Sequence, residues 1–173
     1  GLKNRNGFYE KVHKCIEDSK AAGESLSLAI LYIDLDNFKY YNDTFGHDVG
    51  DLVLKEIAQI LKESVGENGF AIRYGGDEFL IVLLNSNKEE AMATAKMTLD
   101  TILLKNGFVS EISSFLRKPV TIKREKSLSC SIGVSISSNV DSNQELAQLI
   151  KNADSSLYSV KHTTKKAVKF FEE

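Results

Sequence analysis

The stretch FAIRYGGDEFLIVLL, residues 70–84, decides the fold. Phe70 to Tyr74 and Asp77 to Leu84 read as two strands. Gly75-Gly76 between them reads as a two-residue hairpin turn, because glycine accepts the positive φ such turns require. The second strand carries FLIVLL, apolar on both faces, which predicts an inner strand covered on both sides.

Outward from this hairpin, the chain alternates helical and extended patterns. Upstream, Leu26 to Ile33 (LSLAILYI) reads as a buried strand bounded by Gly23 and the Asp34–Asp36 pair. A short helix is expected over Asn37–Phe45, with Asp36 as its N-cap and Gly46 as its stop. The next helix is expected over Asp48–Ser64, with Val49, Leu52, Val53, Ile57, Ile60 and Leu61 on one stripe. Residues 6–22 repeat apolar side chains at helical spacing (Phe8, Val12, Ile16) and end at Gly23. Downstream, Lys88–Leu104 and Asn143–Val160 read as helices, and Ala167–Phe171 as a last strand. Val120–Lys123 and Leu128–Ile136 are expected to pair as strands around Arg124–Ser127, while Lys105–Pro119 follows no clear period. The expectation is an α/β (α+β) fold: a central, mostly antiparallel sheet flanked by helices.

The 173 residues are one domain's worth of chain. Lys and Arg total 22 against 24 Asp and Glu, a net charge of −2, which gives no general attraction to nucleic acid or to anionic lipid. No apolar run approaches the ~18 residues of a membrane span, and no signal-peptide pattern opens the chain. Two cysteines, Cys15 and Cys130, read as buried thiols in a reducing cytosol, with a disulfide as the lesser alternative. The expectations are a cytoplasmic chain with no nucleic-acid partner and no direct membrane contact.

Two acidic clusters flank the apolar strands: Asp34-Leu35-Asp36 and Asp77-Glu78. Carboxylates beside buried strands are rare unless paired or bound to cations. Hard oxygen donors of this kind suit Mg²⁺ or Mn²⁺, shared with substrate phosphates. Taken singly, an acid at a strand end is more often a solvated turn residue. Asn37, Phe38 and Lys39 open a helix, where free N–H groups and a lysine attract phosphate; alone, Lys39 reads equally as a surface lysine.

Five ordered blocks carry a resemblance. RYGGDEF at 73–79 is similar to the signature that names the GGDEF family. IDLDNFKYYNDTFGHDVGD at 33–51 resembles that family's second block, and GLKNR at 1–5 its opening. SIGVS at 131–135 and NADSSLYSVK at 152–161 resemble its closing elements. Together they span nearly the whole chain. The resemblance implies a fold related to the palm of nucleotidyl cyclases and polymerases. It implies a diguanylate cyclase, joining two GTP into cyclic di-GMP across a two-fold homodimer, with residues 1–173 as one GGDEF domain of a larger sensor or signalling protein. It implies that Asp34, the Leu35 carbonyl and Asp77 hold the metal, that Asp77 accepts a proton, and that Glu78 is the next signature acid. It assigns Gly75 and Gly76 to close approach of the nucleotide, and Asn37, Phe38 and Lys39 to the β- and γ-phosphates. Asn42 and Asp51 would read guanine, and Lys161 would bind phosphate. His47 falls in the turn between two helices, a structural position.

The departures are local. Where many family members carry an R-x-x-D product-inhibition site, this chain has Gly66-Glu67-Asn68-Gly69. After Lys161 the family's G-R-N is replaced by Thr164-Lys165-Lys166; Lys165 keeps the charge of the phosphate-binding arginine and loses its fork. The competing expectation is an inactive GGDEF domain serving as a nucleotide-binding or scaffold module, against which the intact Asp34, Asp77 and Glu78 count.

Overall fold

The first acid cluster does not follow a strand; it is the end of one. In the computed structural model, which describes residues 2–172, the chain opens with helix α1 (Arg5–Ala22) and then stays extended through strand β1 (Leu28–Asp36). Helices α2 (Phe38–Phe45) and α3 (His47–Val65) follow, then strands β2 (Gly69–Arg73) and β3 (Glu78–Leu84). Next come helices α4 (Lys88–Leu104) and α5 (Val109–Leu116), strand β4 (Ser129–Ser137), helix α6 (Asn143–Thr163) and strand β5 (Val168–Phe170). Gly1, the first residue of the opening GLKNR element, lies outside the described residues.

The strands form one sheet in the order β2-β3-β1-β4-β5, antiparallel except for the β4–β5 pair. The mostly antiparallel expectation is therefore met, and FLIVLL is an inner strand between β2 and β1. Side chains alternate between two apolar layers, as strand geometry requires. Ala29, Leu31, Ile33, Phe79 and Ile81 face α2 to α5. Leu28, Ile30, Tyr32, Leu80 and Val82 face α1 and α6. With both faces covered, β1 and β3 read as continuous hydrophobic runs in the sequence.

Three local expectations are corrected. Asp36 does not cap α2. It is buried in the last position of β1, and its oxygens accept from Ser129 and Ser131 Oγ at 3.1 and 2.9 Å. Asn37 takes the cap position in left-handed backbone, φ 71°, with no side-chain cap bond. Second, the turn between β2 and β3 is wider than two residues: Tyr74 and Gly75 N–H both donate to the Glu78 carbonyl. Neither Gly75 nor Gly76 has a positive φ. Third, residues 120–123 are not a strand. β4 takes β1 on one side and β5 on the other, and Val120 N–H donates instead to Ser113 Oγ of α5.

Candidate active site

β1 and β3 pair with Asp34 opposite Glu78, so both acids lie on the same face at the same end of the sheet. The hairpin loop is tied to β1 by Leu35 N–H, which donates to the Asp77 carbonyl at 3.2 Å. Arg73 fixes the loop from its other side: Nε and Nη2 donate to the Gly76 carbonyl at 2.9 and 2.7 Å. Register and loop together bring Asp34, Asp77 and Glu78 into one anionic cluster. Its electrostatics are visible at Asp34, whose carboxyl is pushed up to about 6 by burial. The Lys161 ammonium opposes that shift, and the negative charges of Asp77 and Glu78 add to it.

Lys161 projects from the last turn of α6 into this cluster. Its Nζ lies 2.7 Å from Asp36 Oδ1, 3.4 Å from Asp34 Oδ1 and 3.3 Å from the Leu35 carbonyl. The expected phosphate-binding lysine is thus held by the carboxylates of β1. Lys165 sits exposed in a left-handed turn after α6, φ 47°, next to Lys166, whose N–H donates to Asp36 Oδ2 at 3.4 Å.

A cleft of about 350 Å³ opens beside the cluster. Phe38, Lys39, Asn42, Asp51, Gly76 and Asp77 all line it. These are residues from both phosphate- and guanine-assigned positions together with the second acid cluster, gathered from α2, α3 and the hairpin. Lys39 is exposed and pairs with Asp43 one turn on. The Asn37 side-chain amide donates to the Glu125 and Ser127 carbonyls at 3.2 and 3.1 Å, latching the segment before β4 onto α2. Only its backbone remains for phosphate.

Four residues take places here that the sequence did not assign them: Asp36 reads there as a cap, His47 as a turn residue, and Arg73 and Gly50 carry no role of their own. Asp36 is one, although two acids at i and i+2 of a strand necessarily share a face. Arg73 and His47 line the cleft, the latter as the first residue of α3. Gly50 is the fourth: a Cβ there would overlap Asn42 Oδ1, so the absence of a side chain lets the amide sit between α2 and α3.

Among the described residues, no group of three His, Cys, Asp or Glu side chains stands at metal-binding spacing. The donor chemistry nonetheless suits a hard divalent cation: carboxylates from Asp34 and Asp77 and the Leu35 carbonyl are all oxygen ligands. The Asp34 carboxyl, half-buried and raised by its surroundings despite Lys161, is the kind of group that a bound cation stabilises in its ionised form.

Residues 1–167 match the family described as "Diguanylate cyclase, GGDEF domain". A diguanylate cyclase A from Treponema denticola is 30% identical over 168 residues, covering 96% of this chain and 42% of that protein. An uncharacterized signaling protein from Caulobacter vibrioides is 34% identical over 173 residues, 99% of this chain and 19% of its own length. The chain thus spans less than half of these curated relatives. Among solved structures, the GGDEF domain of YfiN from Pseudomonas aeruginosa superposes with a TM-score of 0.73 at 26% identity, covering 100% of this chain and 98% of that one.

Proposed function

The chain belongs to the GGDEF family, and on that premise we propose that it is a diguanylate cyclase, condensing two GTP into cyclic di-GMP with release of two pyrophosphates. The observation that carries the reading is the convergence of the two acid clusters beside one cleft lined by Asn42, Asp51 and Lys39. In it, the Asp51 carboxylate accepts from the N1–H and N2–H₂ edge of guanine, and the Asn42 amide completes the pattern. Adenine offers an unprotonated N1 there and is disfavoured. The N-terminal turn of α2 and Lys39 hold the β- and γ-phosphates. Lys161 is within reach of the same end of the site and moves between carboxylate and phosphate as the charge there changes.

Each bond forms when a ribose 3′-oxygen attacks the α-phosphorus of the other GTP, the bond from that phosphorus to the β-phosphate oxygen breaks, and pyrophosphate leaves. The 3′-hydroxyl proton passes to Asp77 or Glu78. Asp34, the Leu35 carbonyl and Asp77 would hold Mg²⁺ or Mn²⁺, which would neutralise phosphate charge and lower the pKa of the attacking hydroxyl. One chain supplies one nucleotide site, so the reaction joins two chains face to face. In its full-length setting the domain acts in the cytoplasm under an upstream sensor or dimerisation segment. Among the described residues, no helix is long and apolar enough to cross a membrane.

The test is incubation with GTP and Mg²⁺, with product identified by mass. Cyclic di-GMP should form, and Asp34→Ala or Asp77→Ala should abolish it with an unchanged circular-dichroism spectrum. Full activity in either variant would refute the acid assignment.

A further inference from the structure

Glu78 carries no salt bridge among the described residues, yet its carboxylate is fixed from two sides. It lies diagonal to Tyr32 on the same face of the β1–β3 pair, within reach of a long side chain. The Tyr32 hydroxyl donates to Glu78 Oε1 at 3.4 Å. The other oxygen, Oε2, occupies the space over Gly75, where a Cβ would stand 2.8 Å from it.

Tyr32 is itself held in place. It is 6% exposed, in a layer otherwise made of Leu28, Ile30, Leu80 and Val82. Its ring meets Tyr74 edge-on, centroids 5.6 Å apart. The Tyr74 hydroxyl lies 3.3 Å from that of Tyr9 in α1, and the Arg5 guanidinium covers the Tyr74 ring at 4.7 Å. A hydroxyl placed in an apolar layer needs a partner, and among the described residues the Tyr32 hydroxyl has Glu78. An aliphatic residue would fill the same layer without that requirement, so the phenol is explained by its polar end.

We propose that Tyr32 is a positioning residue for the Glu78 carboxylate: its hydroxyl holds Oε1 while the bare Gly75 leaves room for Oε2, keeping the acid turned toward the Asp34 side of the site. This role rests on the cyclase reading above. A glutamate has three rotatable bonds, and without the hydroxyl it samples orientations that leave the anionic cluster. Tyr32 acts through Glu78, the member of the anionic cluster that accepts its hydrogen bond.

Tyr32→Phe isolates the claim, because it keeps the ring and its contact with Tyr74 and removes only the hydroxyl. A lost hydrogen bond to a charged group corresponds to about a tenfold fall in kcat. The KM for GTP should be unchanged, and the Mg²⁺ concentration giving half-maximal rate should rise. Gly75→Ala should lower kcat from the other oxygen, since the atom it displaces is the end of a flexible side chain. A second arm needs no turnover: calorimetry of Mn²⁺ binding in the presence of a non-hydrolysable GTP analogue, in the unmodified chain and in Tyr32→Phe. Weaker Mn²⁺ binding in the variant supports the role. Equal kcat and equal Mg²⁺ response, or equal Mn²⁺ affinity, overturns it. Turnover by the unmodified chain tests the cyclase reading separately, so the two failures are distinguishable.

Discussion

Lys161 and Asp36 form an ion pair of 2.7 Å that joins the last turn of α6 to the last residue of β1. Asp36 also accepts from Ser129 and Ser131 of β4, so one buried carboxylate ties three elements together at the end of the sheet that carries the site. Asp36→Ala removes the acceptor, leaves Lys161 only its longer contacts to Asp34 and the Leu35 carbonyl, and leaves two buried hydroxyls unpaired. The expected loss is about 3 kcal/mol of unfolding free energy. Urea denaturation should show it as a lower midpoint at unchanged slope. A midpoint equal to that of the unmodified chain would contradict the assignment of Asp36 as the structural acid of the pair.

Asp34 should behave in the opposite way. Its carboxyl titrates near the ordinary ~4 in the unfolded chain and at about 6 in the folded one, raised by burial. Between those values the folded state binds more protons, so stability falls as pH rises through the window and is level above it. Asp34→Asn removes this loss. Without added metal, the variant should be more stable than the unmodified chain at pH 7.5, by a margin that shrinks as pH drops from 6 to 4. The same variant should make no cyclic di-GMP. Urea midpoints at the two pH values read the first effect, and a pH-independent difference would contradict it.

Gly50→Ala tests the placement of Asn42. The substitution favours the helix by about 1 kcal/mol on propensity alone, so unfolding is not the expected result. Its methyl group overlaps Asn42 Oδ1 and must push the amide out of the cleft. Loss of one hydrogen bond to a guanine edge should raise the KM for GTP about tenfold and reduce the preference for GTP over ATP. Asp51→Ala should do the same from the other side of the base. Steady-state kinetics with both nucleotides would remove Asn42 from the guanine edge if the preference were unchanged in Gly50→Ala.

The product-inhibition spacing cannot be restored by substitution. Gly66 has φ 59° and ψ −139°, a conformation reserved to glycine, and a Cβ at Gly69 would overlap the Val82 carbonyl of the paired strand. Gly66→Arg with Gly69→Asp, which rebuilds R-x-x-D on paper, should therefore lower the melting temperature and create no site for cyclic di-GMP. A folded double variant that gains saturable product binding by calorimetry would contradict the steric argument.

The legible parts of this molecule are those whose signal is local. The β2–β3 hairpin, the inner position of FLIVLL and the helices after it follow from apolar spacing and glycine punctuation. The grouping of Asn42, Asp51 and Asp77 beside one cleft was accessible only through family resemblance, because α2, α3 and the hairpin meet in space and not in sequence. Asp36 was misread because an acid before a helix looks like a cap; its true partners, Ser129 and Lys161, lie 93 and 125 residues away. The segment 120–123 was misread for the complementary reason: its β propensity is real, but β4 already has partners on both sides. Tyr32 left no trace in the pattern, since a phenol in an apolar run scores as one more hydrophobic residue.

The cyclisation needs two chains, and product formation per chain as a function of protein concentration measures that need. With saturating GTP and Mg²⁺, the product should be cyclic di-GMP by mass. Its rate per chain should rise with concentration before levelling, because each chain brings one nucleotide to a shared reaction. Asp34→Asn should give none at any concentration. Nucleotide binding without cyclic di-GMP across the whole series, at concentrations where the chain is demonstrably dimeric, would contradict the account and leave a nucleotide-binding module in its place.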